Sequence, residues 1–299
     1  MNVKKDSLKA WLLAARPKTL AGAAVPVMIG LALAWTDACA AQRPFFWVAA
    51  VLCLLFAFVM QIDANFVNDY VDYVKGTDDR TTRLGPERAC AQGWVSIGRM
   101  RMAILATTCL ACAIGLPLVV YGGWWLILVG ILCVVFCFLY TTHLSYMGMG
   151  DVLVLVFFGL VPVCMTYYVQ LHTVTFQTVV ASVACGLVID ALLLVNNFRD
   201  RDTDSTAGKL TLVVRLGPLP SLVLYLTVGV AACLLGLTFG IQGHHWYAVI
   251  LPLGYLVLHV GTYMKMKRIW EGRQLNSCLG ETARNIFIYG LTVSIGLLL

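Results

Sequence analysis

The chain has 299 residues, 60% of them hydrophobic and only 12% charged, with a net charge of +6. A soluble domain carries roughly 25% charged residues. Half that density, gathered into repeated apolar runs, excludes an ordinary soluble enzyme or a nucleic-acid-binding domain and indicates an all-α polytopic membrane protein. No stretch reads as a separate soluble unit, so residues 1–299 are expected to form a single membrane-embedded domain.

The N-terminus carries Lys4, Lys5 and Lys9, then an apolar run from Thr19 to Trp35 and the small residues Ala38-Cys39-Ala40. This outline resembles a cleaved signal peptide, but the basic region reaches Lys18 and many spans follow, so the run is taken as the first span. Segments long enough to cross a bilayer lie near residues 19–36, 46–67, 102–121, 123–140, 152–170, 176–197, 219–240, 246–263 and 285–299. That predicts about nine transmembrane helices, the last of them short and expected to begin earlier.

Lys and Arg side chains are spread unevenly over the connections. They concentrate at the N-terminus and in the loops after the second, sixth and eighth spans, leaving only Arg43 on the other face. By the positive-inside rule the basic face is cytoplasmic. The expectation is a multi-pass plasma membrane protein with its N-terminus in the cytoplasm and its C-terminus outside.

Two acidic clusters emerge on that same face. The second span ends in NDYVDYVKGTDD, containing Asn68, Asp69, Asp72, Asp78 and Asp79, and the sixth ends in NNFRDRDTD, containing Asn196, Asn197, Asp200, Asp202 and Asp204. Asn68 and Asp72 are four residues apart and stack on one helix face, as do Asn196, Asp200 and Asp204. Carboxylates so placed repel, and a hard divalent cation with oxygen ligands relieves the conflict. Mg²⁺ typically takes one or two carboxylates together with substrate phosphates. Two such ledges ringed by Arg and Lys describe a site for a diphosphate bridged by Mg²⁺. A single cluster of this kind would be equally well explained as a solvated helix end; matching spacing in two clusters favours the site. Each cluster also follows a deeper aspartate, Asp63 or Asp190, which stays outside the expected metal site, with function or hydrogen-bonded packing as alternatives.

Eleven cysteines fall almost entirely within apolar runs, including Cys109-x-x-Cys112, with no histidines nearby to complete a zinc site, and suit helix packing.

Read together, these motifs resemble the UbiA superfamily of intramembrane prenyltransferases. The likeness begins at Ala15-Arg16-Pro17-Lys18-Thr19 and continues through Asn68-Asp69-Tyr70-x-Asp72-x-x-x-Gly76-x-Asp78 and Arg83-x-Gly85-Pro86-x-Arg88. It takes in Met149-Gly150-Asp151 and Tyr167-Tyr168-x-Gln170. It then runs through Asn196-Asn197-x-Arg199-Asp200-x-x-x-Asp204 to Ala207-Gly208-Lys209-x-Thr211-Leu212-x-Val214-Arg215-Leu216-Gly217. Gly76 stands where the wider superfamily often has an aspartate, and this narrows the resemblance to the branch acting on 1,4-dihydroxy-2-naphthoate.

The resemblance implies a UbiA-type helix bundle with a cytoplasmic-side active site. The reaction it implies is transfer of a polyprenyl group from polyprenyl diphosphate to 1,4-dihydroxy-2-naphthoate, with loss of pyrophosphate and CO₂. Asn68, Asp72, Asp200 and Asp204 would hold the Mg²⁺ cofactor, with Asp69 and Asp78 as further ligands. Lys75, Arg83, Lys209 and Arg215 are candidate diphosphate clamps. Arg16 and Lys18 either close the site or bind lipid headgroups; for every one of these basic residues ordinary topology is the competing explanation. Tyr70, Tyr140 and Tyr146 are candidates to face an allylic cation or the acceptor, against the alternative of interfacial belt residues. A 4-hydroxybenzoate-type prenyltransferase is the nearest rival. A secondary transporter is the rival from another class, and it would place its acidic residues at the midplane on broken helices.

Overall fold

The computed structural model describes residues 3–76 and 83–299, which form helices and their connections. Eight helical segments are long and apolar enough to cross a membrane. They are α1 (Leu8–Ala40), α2 (Trp47–Val74), α3 (Ile97–Gly122), α4 (Leu126–Leu144), α5 (Gly150–Leu171), α6 (Phe176–Thr206), α7 (Pro218–Gly243) and α8 (Tyr247–Ile269). A further helix of 24 residues, α9 (Leu275–Leu298), closes the chain. It begins ten residues before the apolar run that marks it in the sequence. Its first half carries Glu281 and Asn285, which are satisfied by helix neighbours: Lys265 donates to Glu281 at 2.6 Å and Asn285 donates to Thr262 at 3.1 Å. Polar residues paired in this way lower the apolar signal without ending the helix.

Prolines set the local breaks that matter. In α1, Pro17 has no N–H to continue the ladder, and the residue before a proline avoids the helical region. Arg16 leaves the right-handed helical region and takes a left-handed conformation with φ 52°. Its carbonyl then accepts from both the backbone N–H and the hydroxyl of Thr19, each at 2.9 Å, which restarts the helix. The last turn of α4, Tyr140–Leu144, and the stretch Leu155–Leu160 of α5 are wound with the wider π spacing. Such bulges often occur at functional positions.

Burial separates an inner helix from an outer one. The most apolar window of α6 is 72% buried and that of α4 only 6%, so α6 runs through the protein core while α4 is turned to its surroundings. Around α6 pack α1, α5, α7 and α9, with Val25, Ile29, Val163, Tyr167, Val188, Phe239, Tyr255 and Tyr289 forming the largest core cluster. The α5–α6 crossing depends on two glycines. A methyl group on Gly159 would sit 2.5 Å from the Ser182 carbonyl oxygen, and one on Gly186 would sit 2.7 Å from Leu155. Backbones this close leave no room for a side chain.

Gly159→Val should therefore force the two helices apart, at a cost of about 1–3 kcal/mol or more. Thermal unfolding in detergent is expected to shift down by several degrees. An unchanged melting temperature would contradict this crossing.

Candidate active site

The C-terminal ends of α2 and α6, the break in α1 and the segment that begins at Arg83 meet around one cavity of about 1070 Å³. Its polar end is lined by Arg16, Asn68, Asp72, Arg83, Asn196 and Lys209. Its long remainder is apolar, formed by side chains such as Leu116, Val119, Leu126, Ile131, Phe157 and Val169. One end can therefore hold charge while the rest accepts hydrocarbon.

On the α2 side, Asn68 and Asp72 face this space, as their spacing requires. Asn68 accepts a hydrogen bond from the Thr141 hydroxyl on α4. Asp72 pairs with Arg88 at 3.5 Å. Asp69, one residue on from Asn68, turns roughly 100° around the helix. It is buried, and its two oxygens accept the backbone N–H groups of Ala89 at 2.9 Å and Cys90 at 3.0 Å. Asp69 thus anchors the loop that carries Arg88, and unlike Asn68 and Asp72 it is not part of the cavity lining. Asp78 lies outside the described residues.

On the α6 side, Asn196 and Asn197 line the cavity, but Asp200 and Asp204 are held by neighbouring cations. Arg199, its side chain fully buried, grips both oxygens of Asp200 at 2.8 and 2.5 Å. The same guanidinium donates to Asn196 at 2.7 Å and to Asn276, at the start of α9, at 2.8 Å. Lys209 lies 3.3 Å from Asp204. The sequence motif contains Arg199, but its spacing gives no hint that it ties three side chains together.

The expected cations divide into two groups. Arg16, Lys18, Arg83 and Lys209 line the cavity. One terminal nitrogen of Arg16 is buried without a hydrogen-bond partner, an orphaned donor that an anion would satisfy. Burial, reinforced by nearby Arg16, pushes the Arg83 guanidinium down to about 10, against the opposing pull of Asp200 and Asp72. A bound anion would return that lost stabilisation. Lys75 and Arg215 do other work, because Lys75 donates to the Thr142 carbonyl and Arg215 to the Met147 carbonyl at 2.8 Å. Both brace the connection between α4 and α5.

Of the three tyrosines, only Tyr140 lines the cavity. Tyr70 accepts from Arg101 at 2.7 Å within a separate apolar cluster, and the Tyr146 ring lies under the Lys75 ammonium at 4.2 Å. Asp63 accepts from Thr107 at 2.5 Å and Thr108 at 2.9 Å, a packing role between α2 and α3.

Among the described residues no three Asp, Glu, His or Cys side chains form a ready-made metal cage. The oxygen donors lining the cavity include Asn68, Asp72, Asn196 and Asn197, carried by two helices. These are ligands of the kind that suit a hard divalent cation completing its shell with phosphate oxygens. The residues present fit such an ion.

Residues 23–274 match the UbiA prenyltransferase family. The chain belongs to that family. A 1,4-dihydroxy-2-naphthoate octaprenyltransferase of Mycobacterium tuberculosis is 34% identical, over 96% of both chains. The enzyme of the same name from Escherichia coli is 39% identical over 70% of this chain and 69% of its own. The fold is also that of a UbiA homolog from Archaeoglobus fulgidus bound to DMAPP and Mg²⁺, with a TM-score of 0.64 at 15% identity, covering 95% of this chain and 99% of that one. An apo UbiA homolog from Aeropyrum pernix gives 0.65, with coverage of 90% and 96%. UbiA membership sets aside the transporter reading.

Removing a cavity-lining cation should weaken diphosphate binding. Arg83→Met is expected to lower kcat/KM for the prenyl substrate by about tenfold to a hundredfold, the value of one charge-assisted hydrogen bond. Tyr70→Phe, away from the cavity, should remain within about threefold of wild type on the same scale. Steady-state kinetics on the two purified variants checks both, and equal losses would contradict the division drawn here.

Proposed function

We propose that this protein transfers a polyprenyl group from polyprenyl diphosphate to 1,4-dihydroxy-2-naphthoate, with loss of pyrophosphate and CO₂, giving demethylmenaquinol. The observation that carries this reading is the union of a cationic, oxygen-lined end and a long apolar space in one cavity. It is supported by UbiA relatives that bear the naphthoate octaprenyltransferase name across most of their length.

Arg16, Arg83 and Lys209 hold the diphosphate, and the apolar body takes the isoprenoid tail. Asn68 and Asp72 on α2, with Asp200 and Asp204 on α6, are the residues that would hold Mg²⁺. Asp200 and Asp204 then serve as ligands that their present ion pairs with Arg199 and Lys209 keep in place. When bound, the metal supplies charge neutralisation for the departing diphosphate. Tyr140 presents an aromatic face where cationic character develops on the prenyl carbon. Water is kept from that carbon by the apolar lining. The ring carbon bearing the carboxylate attacks, and loss of CO₂ restores aromaticity.

In the same reading the domain spans the plasma membrane nine times, α9 included. The N-terminus and the polar end of the cavity face the cytoplasm, where the basic loops lie, and the C-terminus lies outside.

The test is an assay of purified protein with polyprenyl diphosphate and Mg²⁺, offering naphthoate and 4-hydroxybenzoate in parallel. Prenylated naphthoate with stoichiometric CO₂ is the expected outcome, and chelation by EDTA should reduce it by at least about a hundredfold. Exclusive prenylation of hydroxybenzoate would overturn the acceptor assignment. Full activity after chelation would overturn the metal site.

A further inference from the structure

Two further buried carboxyl groups take no part in holding the diphosphate or the metal. Asp151 opens α5 and lines the cavity. Asp190, on α6, is only 6% exposed. The two residues are neighbours across the packed α5–α6 contact, and each keeps one buried oxygen, Oδ1, with no hydrogen-bond partner. No lysine or arginine is paired with either among the described residues. No third Asp, Glu, His or Cys joins them in the manner of a metal cage among those residues.

Neighbouring carboxyl groups in an apolar setting are able to share a proton between them. One buried acid could be a packing accident. Two, neighbours across α5 and α6 with an oxygen of each left over and one of them in the cavity wall, are placed to handle a proton. The pair also lies near the reacting end. Tyr140 packs over the start of α5, where a methyl group on Gly150 would lie 3.8 Å from the tyrosine hydroxyl.

Resting on the proposed function, we propose that Asp151 is the proton acceptor for the aromatic substrate, with Asp190 as the positioning residue behind it. The ring hydroxyl next to the attacked carbon gives its proton to Asp151. The ring carbon forms its bond to the prenyl carbon while the carbon–oxygen bond to the diphosphate breaks, its electron pair leaving with pyrophosphate. The ring is then a ketone bearing both prenyl and carboxylate groups. The bond to the carboxylate breaks, CO₂ leaves, and the electron pair returns to the ketone oxygen, which takes back the proton from Asp151. The proton is borrowed and returned, so no external base, oxidant or reductant is needed. A carboxyl whose partner holds a shared proton is suited to this loan, because it neither binds the proton irreversibly nor loses it to bulk water.

The experiment compares Asp151→Asn and Asp190→Asn with wild type. It measures turnover at saturating substrates, affinity for a non-reactive prenyl thiodiphosphate, and turnover with naphthoates whose ring hydroxyl is made more acidic by electron-withdrawing substituents. Asp151→Asn is expected to lower kcat by at least about a hundredfold, the usual contribution of a general base. Affinity for the thiodiphosphate should stay within about twofold, and the deficit should narrow as the hydroxyl becomes more acidic. Asp190→Asn should lower kcat by about tenfold with the same affinity, and Asp190→Glu should recover it. Turnover of both Asn variants within about threefold of wild type would overturn the proposal. So would a parallel loss of thiodiphosphate affinity, or a deficit independent of hydroxyl acidity. Failure of the wild type to prenylate naphthoate is a different result, and it would remove the functional reading itself.

Discussion

A guanidinium with no exposure to solvent sets the geometry of this protein. The Arg199 side chain is fully buried and is matched by Asp200, Asn196 and Asn276, so its charge and hydrogen-bond donors are largely met inside the fold. A buried cation without such partners would be strongly destabilising. The requirement works in both directions: α6 cannot rotate without breaking it, and α9 must begin where Asn276 can reach. Asn276 in turn donates to the Leu84 carbonyl at 2.9 Å, and Arg273 donates to the Arg83 carbonyl at 3.2 Å. The segment that delivers Arg83 to the cavity is thus fixed by the same core interaction that orients the end of α6. Even the approach is tight, because a methyl group on Gly85 would lie 2.7 Å from Arg199.

The remainder of the site follows from where helices are allowed to stop. Pro17 breaks α1 and leaves Arg16 in a left-handed turn in the cavity wall. Asp69 uses both its oxygens to hold the turn at Ala89 and Cys90, and that turn brings Arg88 to Asp72. Opposite, the π turn at the end of α4 carries Tyr140 and Thr141 to the same place, with Thr141 on Asn68. Charge thereby collects at one end of a space whose other walls are hydrocarbon. Such a division suits a substrate that is a diphosphate at one end and an isoprenoid over the rest of its length.

Much of this was readable from the chain alone, for a physical reason. Apolar runs must be helices in a bilayer, so α2 to α8 lie close to the hydrophobic segments that announce them. Boundaries drifted where polar residues are paired inside the fold: α2 continues to Val74 through Asn68 and Asp72, and α9 starts at Leu275 despite Glu281. Helical spacing correctly placed Asn68 with Asp72 on the cavity. The same spacing turns Asp69 to a different face, which the expectation of Asp69 as a further ligand did not take into account. Side-chain reach was not legible. Nothing in the spacing says that Arg199 folds back onto Asp200, that Lys209 takes Asp204, or that Lys75 and Arg215 spend their donors on backbone carbonyls. Asp151 and Asp190 lie 39 positions apart and become neighbours through the packing of α5 on α6, which is close at Gly159 and Gly186.

The central claim is that the ends of α2 and α6 grip one diphosphate between them. A structure of the wild-type protein with Mg²⁺ and a non-reactive prenyl thiodiphosphate tests it most directly. The expected result is diphosphate among Arg16, Arg83 and Lys209, metal density at Asn68 and Asp72, and the isoprenoid along the apolar wall. A diphosphate bound away from both helix ends, or metal density absent from the α2 ledge, would contradict it.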